Sequence, residues 1–202
     1  MSAEDTVKLP RPRMKGGVSV EEALRRRRST RTFAKKPLSL EQVSQLLWAA
    51  QGVTGAFNER TAPSAGGTYP LEMYLICGDV DGLQPAVYKY RVRAHELERV
   101  ADGDRRADLA EASLGQACVR RCAAAVVMSA VYKRTVDEYG ERGISYVHME
   151  VGHVGQNLHL EAAALDLGAV MVGAFDDERV AEILGLPEDE SPVYIIPLGR
   201  LP

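Results

Sequence analysis

Arg25-Arg26-Arg27-Arg28-Ser29-Thr30-Arg31-Thr32-Phe33 is the stretch on which the reading of this chain turns. Four consecutive arginines run into a serine, a threonine and a fifth arginine, and an aromatic residue closes the segment. So much like charge close to a helix end needs an anionic partner. Three are available: the phosphates of a nucleic acid, the phosphate of a small cofactor, or the protein's own carboxylates. A guanidinium offers a planar, always-charged fork of donors that matches phosphate oxygens, and a neighbouring Ser or Thr adds a short hydroxyl donor. A solvated helix end would also account for such a run taken alone.

The chain around it is not basic. Over 202 residues, 25 Lys and Arg stand against 28 Asp and Glu, a net charge of −3, so the arginine run is a local feature. A dedicated nucleic-acid binder is usually basic over the whole domain or carries a reading module, and neither is found here, which moves weight towards a small phosphate ligand. Hydrophobic residues make up 46% and charged residues 26%, ordinary for one globular domain and unlike long disorder. Cys77, Cys118 and Cys122 are odd in number, lack CxxC spacing and read as buried thiols. With no signal-like N-terminus and no stretch of ~18 apolar residues, a soluble cytoplasmic protein without a membrane or nucleic-acid partner is expected.

Upstream of the run, residues 1–17 hold Pro10, Pro12, Gly16 and Gly17, which suits an extended N-terminal arm able to wrap a partner subunit, and residues 18–202 form the domain. Ser19 and Glu22 form a capping box for a first helix that ends inside the arginines. Ser39 and Gln42 cap a second, in which Leu38 and Val43 can staple and Val43, Leu46, Leu47 and Ala50 share one face before Gly52. Strands are expected over 71–77, 86–90 and 95–100, a helix over 105–117, and a buried, continuously apolar strand over 124–131. The longest element runs from about 142 to 166, where Ile144, Val147, Val151, Val154, Leu158, Ala162 and Leu165 recur at spacings of three and four. Gly168 is expected to close it. A strand at 170–172 then breaks at Gly173-Ala174, Asp176 caps a short helix, and 193–198 is the final strand, running into Gly199-Arg200.

Most standard chemistries find no motif. There is no G-x-G-x-x-G after a strand, no Walker loop and no G-x-S-x-G elbow. His148 and His153 share the long helix but point about 140° apart, so they cannot chelate one ion as an i, i+4 pair can, and no metal is expected. His95 lies in an expected strand and reads as structural. Glu150, His153 and Asn157 share a helical face and read as a buried polar seam that satisfies itself by hydrogen bonds. The small-residue loop at 62–67 is more suggestive: Pro63 fixes the chain, Ser64 can donate, and Gly66-Gly67 let backbone amides approach a flat or anionic ligand, although a plain turn explains Gly-Gly equally well.

Five segments together carry a family pattern. Arg27 to Phe33, the loop Ala62-Pro63-Ser64-Ala65-Gly66-Gly67-Thr68-Tyr69-Pro70-Leu71-Glu72, the segment Glu150-Val151-Gly152-His153-Val154-Gly155-Gln156-Asn157-Leu158, the turn Val172-Gly173-Ala174-Phe175-Asp176-Asp177 and the end Ile195-Ile196-Pro197-Leu198-Gly199-Arg200 resemble the nitroreductase superfamily. More narrowly they are similar to its SagB-type dehydrogenase branch, from about residue 9 to the end. The resemblance implies an α+β fold, with a mixed, mainly antiparallel sheet flanked by helices and a long central helix, assembled as an intertwined homodimer with FMN at the subunit interface. Carried over by motif position, Arg27, Ser29 and Arg200, beside Gly199, would hold the FMN phosphate. Arg28 would lie along the ribityl chain and Arg31 near the pyrimidine edge. Pro63, Ser64, Ala65 and Gly67 would line the ring from the partner subunit, and Val172, Gly173 and Ala174 would meet its N5 edge.

Arg31 and Gly173 would then stand nearest the chemistry, since hydride arriving at N5 leaves negative charge near N1 and O2 that an arginine stabilises. The implied activity is ping-pong transfer from a donor, NAD(P)H across the superfamily, to a small organic acceptor such as a nitro or quinone compound. Two alternatives stay open: a SagB-type dehydrogenase oxidising a ring in a modified peptide or small metabolite, and a flavin-binding protein without efficient turnover. Tyr139-Gly140-Glu141-Arg142-Gly143 reads either as an inter-element loop or as a lid. Tyr139 and Tyr146 are candidate substrate contacts, and Tyr132 joins them as a candidate proton donor.

Overall fold

Leu71–Cys77 and Ala124–Ala130 are buried at nearly every position, which a strand can satisfy only when both of its faces are covered. The computed structural model, which describes residues 5–202, covers both. These segments are strands β2 and β5, paired antiparallel with Met73 opposite Met128. Leu71, Met73, Leu75 and Cys77 of β2 and Ala124, Val126, Met128 and Ala130 of β5 turn to one core. Tyr74, Ile76, Ala125 and Val127 turn to the other.

With β1 (Thr6–Lys8), β3 (Ala86–Arg91), β4 (Glu96–Asp102), β6 (Leu167–Ala169) and β7 (Ser191–Arg200) they form a seven-stranded sheet of order β1-β4-β3-β2-β5-β7-β6. Every strand pairing in it is antiparallel. Among the described residues, parallel pairing is confined to isolated bridges at Ser29–Ala169 and Leu38–Val80.

Helices cover the two faces. On one lie α2 (Leu40–Gln51) and the 23-residue α6 (Arg142–Ala164), whose apolar stripe from Val147 to Ala162 is buried against the sheet. On the other lie α3 (Arg106–Ala112), α4 (Ala117–Arg121) and α7 (Asp177–Leu184). Two more helices, α1 (Val20–Arg26) and α5 (Lys133–Tyr139), pack on α6. The second capping box forms in full, with Ser39 Oγ accepting from the Gln42 N–H and Gln42 Oε1 from the Ser39 N–H, and Leu38 and Val43 are buried in one cluster. Asp176 caps α7, and Gly185, in the left-handed region at φ 63°, ends it.

Four local expectations are corrected. The helix over 105–117 is two helices, because Leu114 and Gly115 both take positive φ between them. The long helix stops at Ala164 and turns at Asp166 (φ 54°), so Gly168 lies inside β6 rather than closing the helix, and the strand precedes 170–172. At the other end of that helix Ile144 is exposed. His95 sits in the turn between β3 and β4 at φ 50°, not in a strand. It is structural nonetheless: Nδ1 meets the Tyr90 hydroxyl at 2.8 Å, and Nε2 meets Ser44 Oγ at 2.8 Å and the Pro10 carbonyl at 3.0 Å. Residues 1–4 of the expected arm lie outside the described residues; the rest is extended, with Thr6–Lys8 as an edge strand and Ser44 donating to the Pro10 carbonyl at 2.6 Å.

A buried polar cluster spans the sheet where β2, β3, β5 and the start of β7 meet. Glu190 accepts from the Tyr74 hydroxyl (2.9 Å), the Ser129 hydroxyl (2.8 Å) and Lys89 Nζ (2.8 Å). Burial alone would raise its carboxyl, but the hydrogen bonds from Lys89, Ser129 and Tyr74 outweigh it and hold the group below its ordinary value. A depressed carboxylate contributes stability that is complete above its unfolded pKa and is lost as pH falls through the folded one. Glu190→Gln is therefore expected to cost about 2–3 kcal/mol in urea unfolding at neutral pH, with the gap from wild type closing in acid.

Candidate functional site

Ser19 caps α1 by accepting from the Glu22 N–H at 3.2 Å, and the helix ends at Arg26, leaving the rest of the arginine run in an extended, non-helical segment. This divides the arginines by their partners. Arg25 and Arg26 both bind the Glu22 carboxylate, at 2.7 and 2.5 Å, and hold its pKa down at about 2; Arg26 also reaches Asp166 at 3.4 Å. Arg27, Arg28 and Arg31 have no carboxylate partner among the described residues. Arg28 instead donates to the Arg25 and Arg27 carbonyls at 2.9 and 2.7 Å.

The extended segment is laid against the sheet edge. The Thr30 N–H donates to the Ala169 carbonyl of β6 (2.9 Å), and the Ala34 N–H to the Arg200 carbonyl of β7 (3.0 Å). Phe33 lies on Gly168 and Gly199, where an added Cβ would come within 3.1 and 2.7 Å of its side chain. Arg200 Nε donates to the Pro37 carbonyl at 2.9 Å. Buried His159 closes the cluster from α6, with Nε2 3.0 Å from the Arg28 carbonyl, and burial lowers its pKa. His159 carries no motif and is placed only by the pitch of α6, so nothing along the chain singles it out. Arg27, Arg28, Ser29, Arg31, Gly199 and Arg200 are thus brought to one edge of the sheet.

Val172 joins this edge by exchanging backbone hydrogen bonds with Ile195 of β7, at 2.8 and 3.0 Å. Gly173 and Ala174 beyond it are exposed, and the Gly173 N–H has no partner among the described residues. Nothing in the fold demands glycine at 173: its φ is not left-handed, and a Cβ there would meet Tyr194 at an ordinary 3.5 Å.

The loop with Pro63, Ser64, Ala65 and Gly67 forms a separate cluster, and no hydrogen bond among the described residues links it to the arginine run or to the 172–174 turn. It makes a short turn over Ala65–Gly67, with Gly66 and Gly67 at φ 59° and 65°, conformations glycine adopts without strain. Ser64 Oγ accepts from the Tyr69 N–H at 2.9 Å, and the Thr68 hydroxyl meets that of Thr135 of α5 at 2.8 Å. Tyr139 ends α5 above this loop, its hydroxyl 2.5 Å from where a Gly66 Cβ would stand, and its ring packs edge-on to Tyr146 at 5.2 Å. The Tyr139–Gly143 segment is a tight link between two helices. Tyr132 is bound to His148 Nε2 at 2.8 Å.

The polar seam forms with a change of membership. Glu150 meets Gln51 Nε2 at 3.4 Å and Asn157 donates to the Thr61 carbonyl at 3.1 Å, but His153 is exposed and makes no hydrogen bond in it. Arg60 replaces it, donating to Gln51 Oε1 at 3.0 Å with its guanidinium 4.2 Å from the Tyr69 ring centre. Burial lowers the Arg60 pKa. Cys77 and Cys122 are buried thiols pushed up to about 12 by desolvation, so they are poor nucleophiles. Among the described residues no group of three or more His, Cys, Asp or Glu could hold a metal ion, and no helix is long and apolar enough to cross a membrane.

The model of the nitroreductase family matches residues 24–200, from the end of α1 to the last strand. The chain belongs to the nitroreductase family. Its relatives include a protein of Methanocaldococcus jannaschii that bears the name nitroreductase, 42% identical over 196 residues, which cover 97% of this chain and 98% of that one. A crystal structure from Ralstonia eutropha, also bearing that name, is 30% identical with a TM-score of 0.85, covering 100% of this chain and 92% of that one. The trifolitoxin-processing protein TfxB of Rhizobium leguminosarum is 30% identical over 163 residues, 74% of this chain and 43% of that protein.

In this nitroreductase-family chain the Phe33 contact is a direct test of how the arginine segment is held. Gly199→Ala should cost about 1–3 kcal/mol through overpacking, read as a lowered Tm. Adding Phe33→Ala should recover part of that loss, because the two changes act on one contact.

Proposed function

We propose that this chain is an FMN-dependent oxidoreductase that passes hydride equivalents by a ping-pong cycle from NAD(P)H to a small organic acceptor such as a nitro or quinone compound, working as a homodimer. The observation that carries this is the division of the arginines. Those the fold does not need for the cofactor, Arg25 and Arg26, are neutralised by Glu22, whereas Arg27, Arg28 and Arg31 stand without carboxylates beside the Ser29 hydroxyl and near Arg200. A set of guanidinium forks and a hydroxyl on one sheet edge fits a phosphate ester.

In this reading Arg27, Ser29 and Arg200 hold the phosphate, Arg28 lies along the ribityl chain and Arg31 meets the pyrimidine edge. The exposed N–H of Gly173, between Val172 and Ala174, faces the N5 edge, and a ligand lying close would explain a glycine that the fold itself does not require. Pro63, Ser64, Ala65 and Gly67 would come from the second copy of the chain, which accounts for two clusters that share no hydrogen bond. FMN, when bound, supplies hydride acceptance and release; the chain supplies orientation and positive charge. That the family consists of oxidoreductases and that a relative of full length bears the nitroreductase name support the reading.

A second reading rests on the likeness to a trifolitoxin-processing protein: a SagB-type dehydrogenase that oxidises a ring in a modified peptide or small metabolite. Steady-state NAD(P)H oxidation with a quinone or nitroaromatic acceptor separates them. Rapid turnover supports the first, and a flavin protein that does not turn over supports the second or a binding role.

The decisive measurement is the visible spectrum of the purified protein with chromatography of the released cofactor, expected to give FMN. Arg31→Ala should weaken FMN binding by about 1–3 kcal/mol, as for a charge-assisted contact, while Arg25→Ala should leave it unchanged. A colourless protein that takes up no added FMN, or equal losses from both substitutions, would sink the proposal.

A further inference from the structure

Behind the Pro63–Gly67 loop, five residues close a ring of contacts that the proposed function does not use. Glu150, near the middle of α6, is only 3% exposed, and its carboxyl faces Gln51 Nε2 at 3.4 Å and the Ser64 hydroxyl. Gln51, the last residue of α2, turns its oxygen to Arg60 at 3.0 Å. The Arg60 guanidinium lies 4.2 Å from the centre of the Tyr69 ring, and the Tyr69 backbone N–H returns to Ser64 Oγ at 2.9 Å. The circuit ties the loop to both α2 and α6.

The donors decide the protonation state this ring needs. Gln51 spends its carbonyl oxygen on Arg60, so it can offer only N–H groups to Glu150. Ser64 Oγ already accepts from Tyr69, which leaves its own proton for Glu150. Both neighbours are donors, and an ionised carboxyl accepts from both through either oxygen, whereas a protonated one gives up an acceptor position and adds a donor of its own. A proton on the oxygen that faces either neighbour would set donor against donor there. Ser64 would then have to rotate and release the Tyr69 N–H, or Gln51 would have to leave Arg60.

We propose that ionised Glu150 is a positioning residue for the ring-lining loop, holding Ser64 and Tyr69 in the arrangement that receives the flavin from the second copy of the chain; this rests on the FMN reading above. FMN affinity then depends on the charge of a side chain that never touches the cofactor. Burial raises the Glu150 pKa, only partly offset by hydrogen bonds from Ser64 and Gln51 and by the charges of Arg60 and His153. Those two charges and the Tyr69 ring on Arg60 are the titratable surroundings of the carboxyl, from the loop and from α6 itself. The group therefore takes up its proton above the ordinary carboxylate range, and affinity is lost in mild acid rather than strong acid.

The test is the FMN dissociation constant of reconstituted apoprotein, by flavin fluorescence, from about pH 5 to about pH 8, for wild type and Glu150→Gln. FMN's own phosphate titrates in this range, and the ratio of the two constants cancels it. Glu150→Gln, which mimics the protonated group, is expected to bind about tenfold more weakly at the alkaline end, with the ratio falling towards one at the acid end. A ratio that is flat, or one throughout, while both proteins bind FMN removes Glu150 from this role and leaves the flavin reading intact. A wild type that fails to bind FMN at any pH removes the flavin reading and this proposal with it. If Glu150→Gln does not fold by circular dichroism, Ser64→Ala breaks the same link and should give the same falling ratio; a flat ratio there overturns the proposal equally.

Discussion

Two backbone hydrogen bonds, from Thr30 to the Ala169 carbonyl and from Ala34 to the Arg200 carbonyl, govern where this protein carries its positive charge. The segment after α1 has no helix of its own and no hydrophobic stripe, so without them the arginines would sit on a free strand of chain. The glycines at 168 and 199 let the segment lie this close, since a Cβ at 168 would strike Thr30 and press on Phe33, and one at 199 would strike Phe33. That contact converts two unremarkable glycines into the floor of the candidate site.

The sheet makes this arrangement durable. β2 and β5 are buried on both faces, so their register is fixed by two cores at once, and a one-residue slip would exchange the side chains of both. β7 pairs along the whole of β5 and carries the chain from the Glu190 cluster at one end to Gly199-Arg200 at the other. The 172–174 turn hangs on the same strand through Ile195. One strand therefore sets the spacing between the two parts of the site that lie on a single chain.

Like charges held together without counter-charges oppose folding, and several of the arginines elsewhere are paired. Arg91 pairs with Glu98, Arg106 with Asp104 and Arg134 with Glu72. Arg27, Arg28 and Arg31 lie within five residues of one another on one edge of the molecule with no carboxylate partner among the described residues. A local conflict of this kind, in a structure otherwise consistent, is where function is expected to reside. The Glu150 ring shows the opposite strategy: its charged groups sit among hydrogen-bonding neighbours, and Arg60 Nε is the one fully buried side-chain atom in it without a partner among the described residues.

Local order was legible in the sequence wherever it depends on neighbours along the chain. The two serine caps, the Asp176 cap, the 71–77 strand and the buried stripe of α6 all follow from capping chemistry and side-chain period, which act over a few residues. The family pattern of five separated segments was legible for a similar reason, as residue types in a fixed order. The break at Leu114–Gly115, the early end of α6 at Asp166 and the turn at His95 were not, because each turns on a residue in the left-handed region, an uncommon conformation for any residue but glycine that side-chain period does not register. Nor could the sequence show that His159 lies against the Arg28 carbonyl, that Asp166 reaches Arg26, or that glycine at 199 answers to Phe33. Those facts depend on residues more than a hundred positions apart meeting at one place, and only the tertiary fold brings them there.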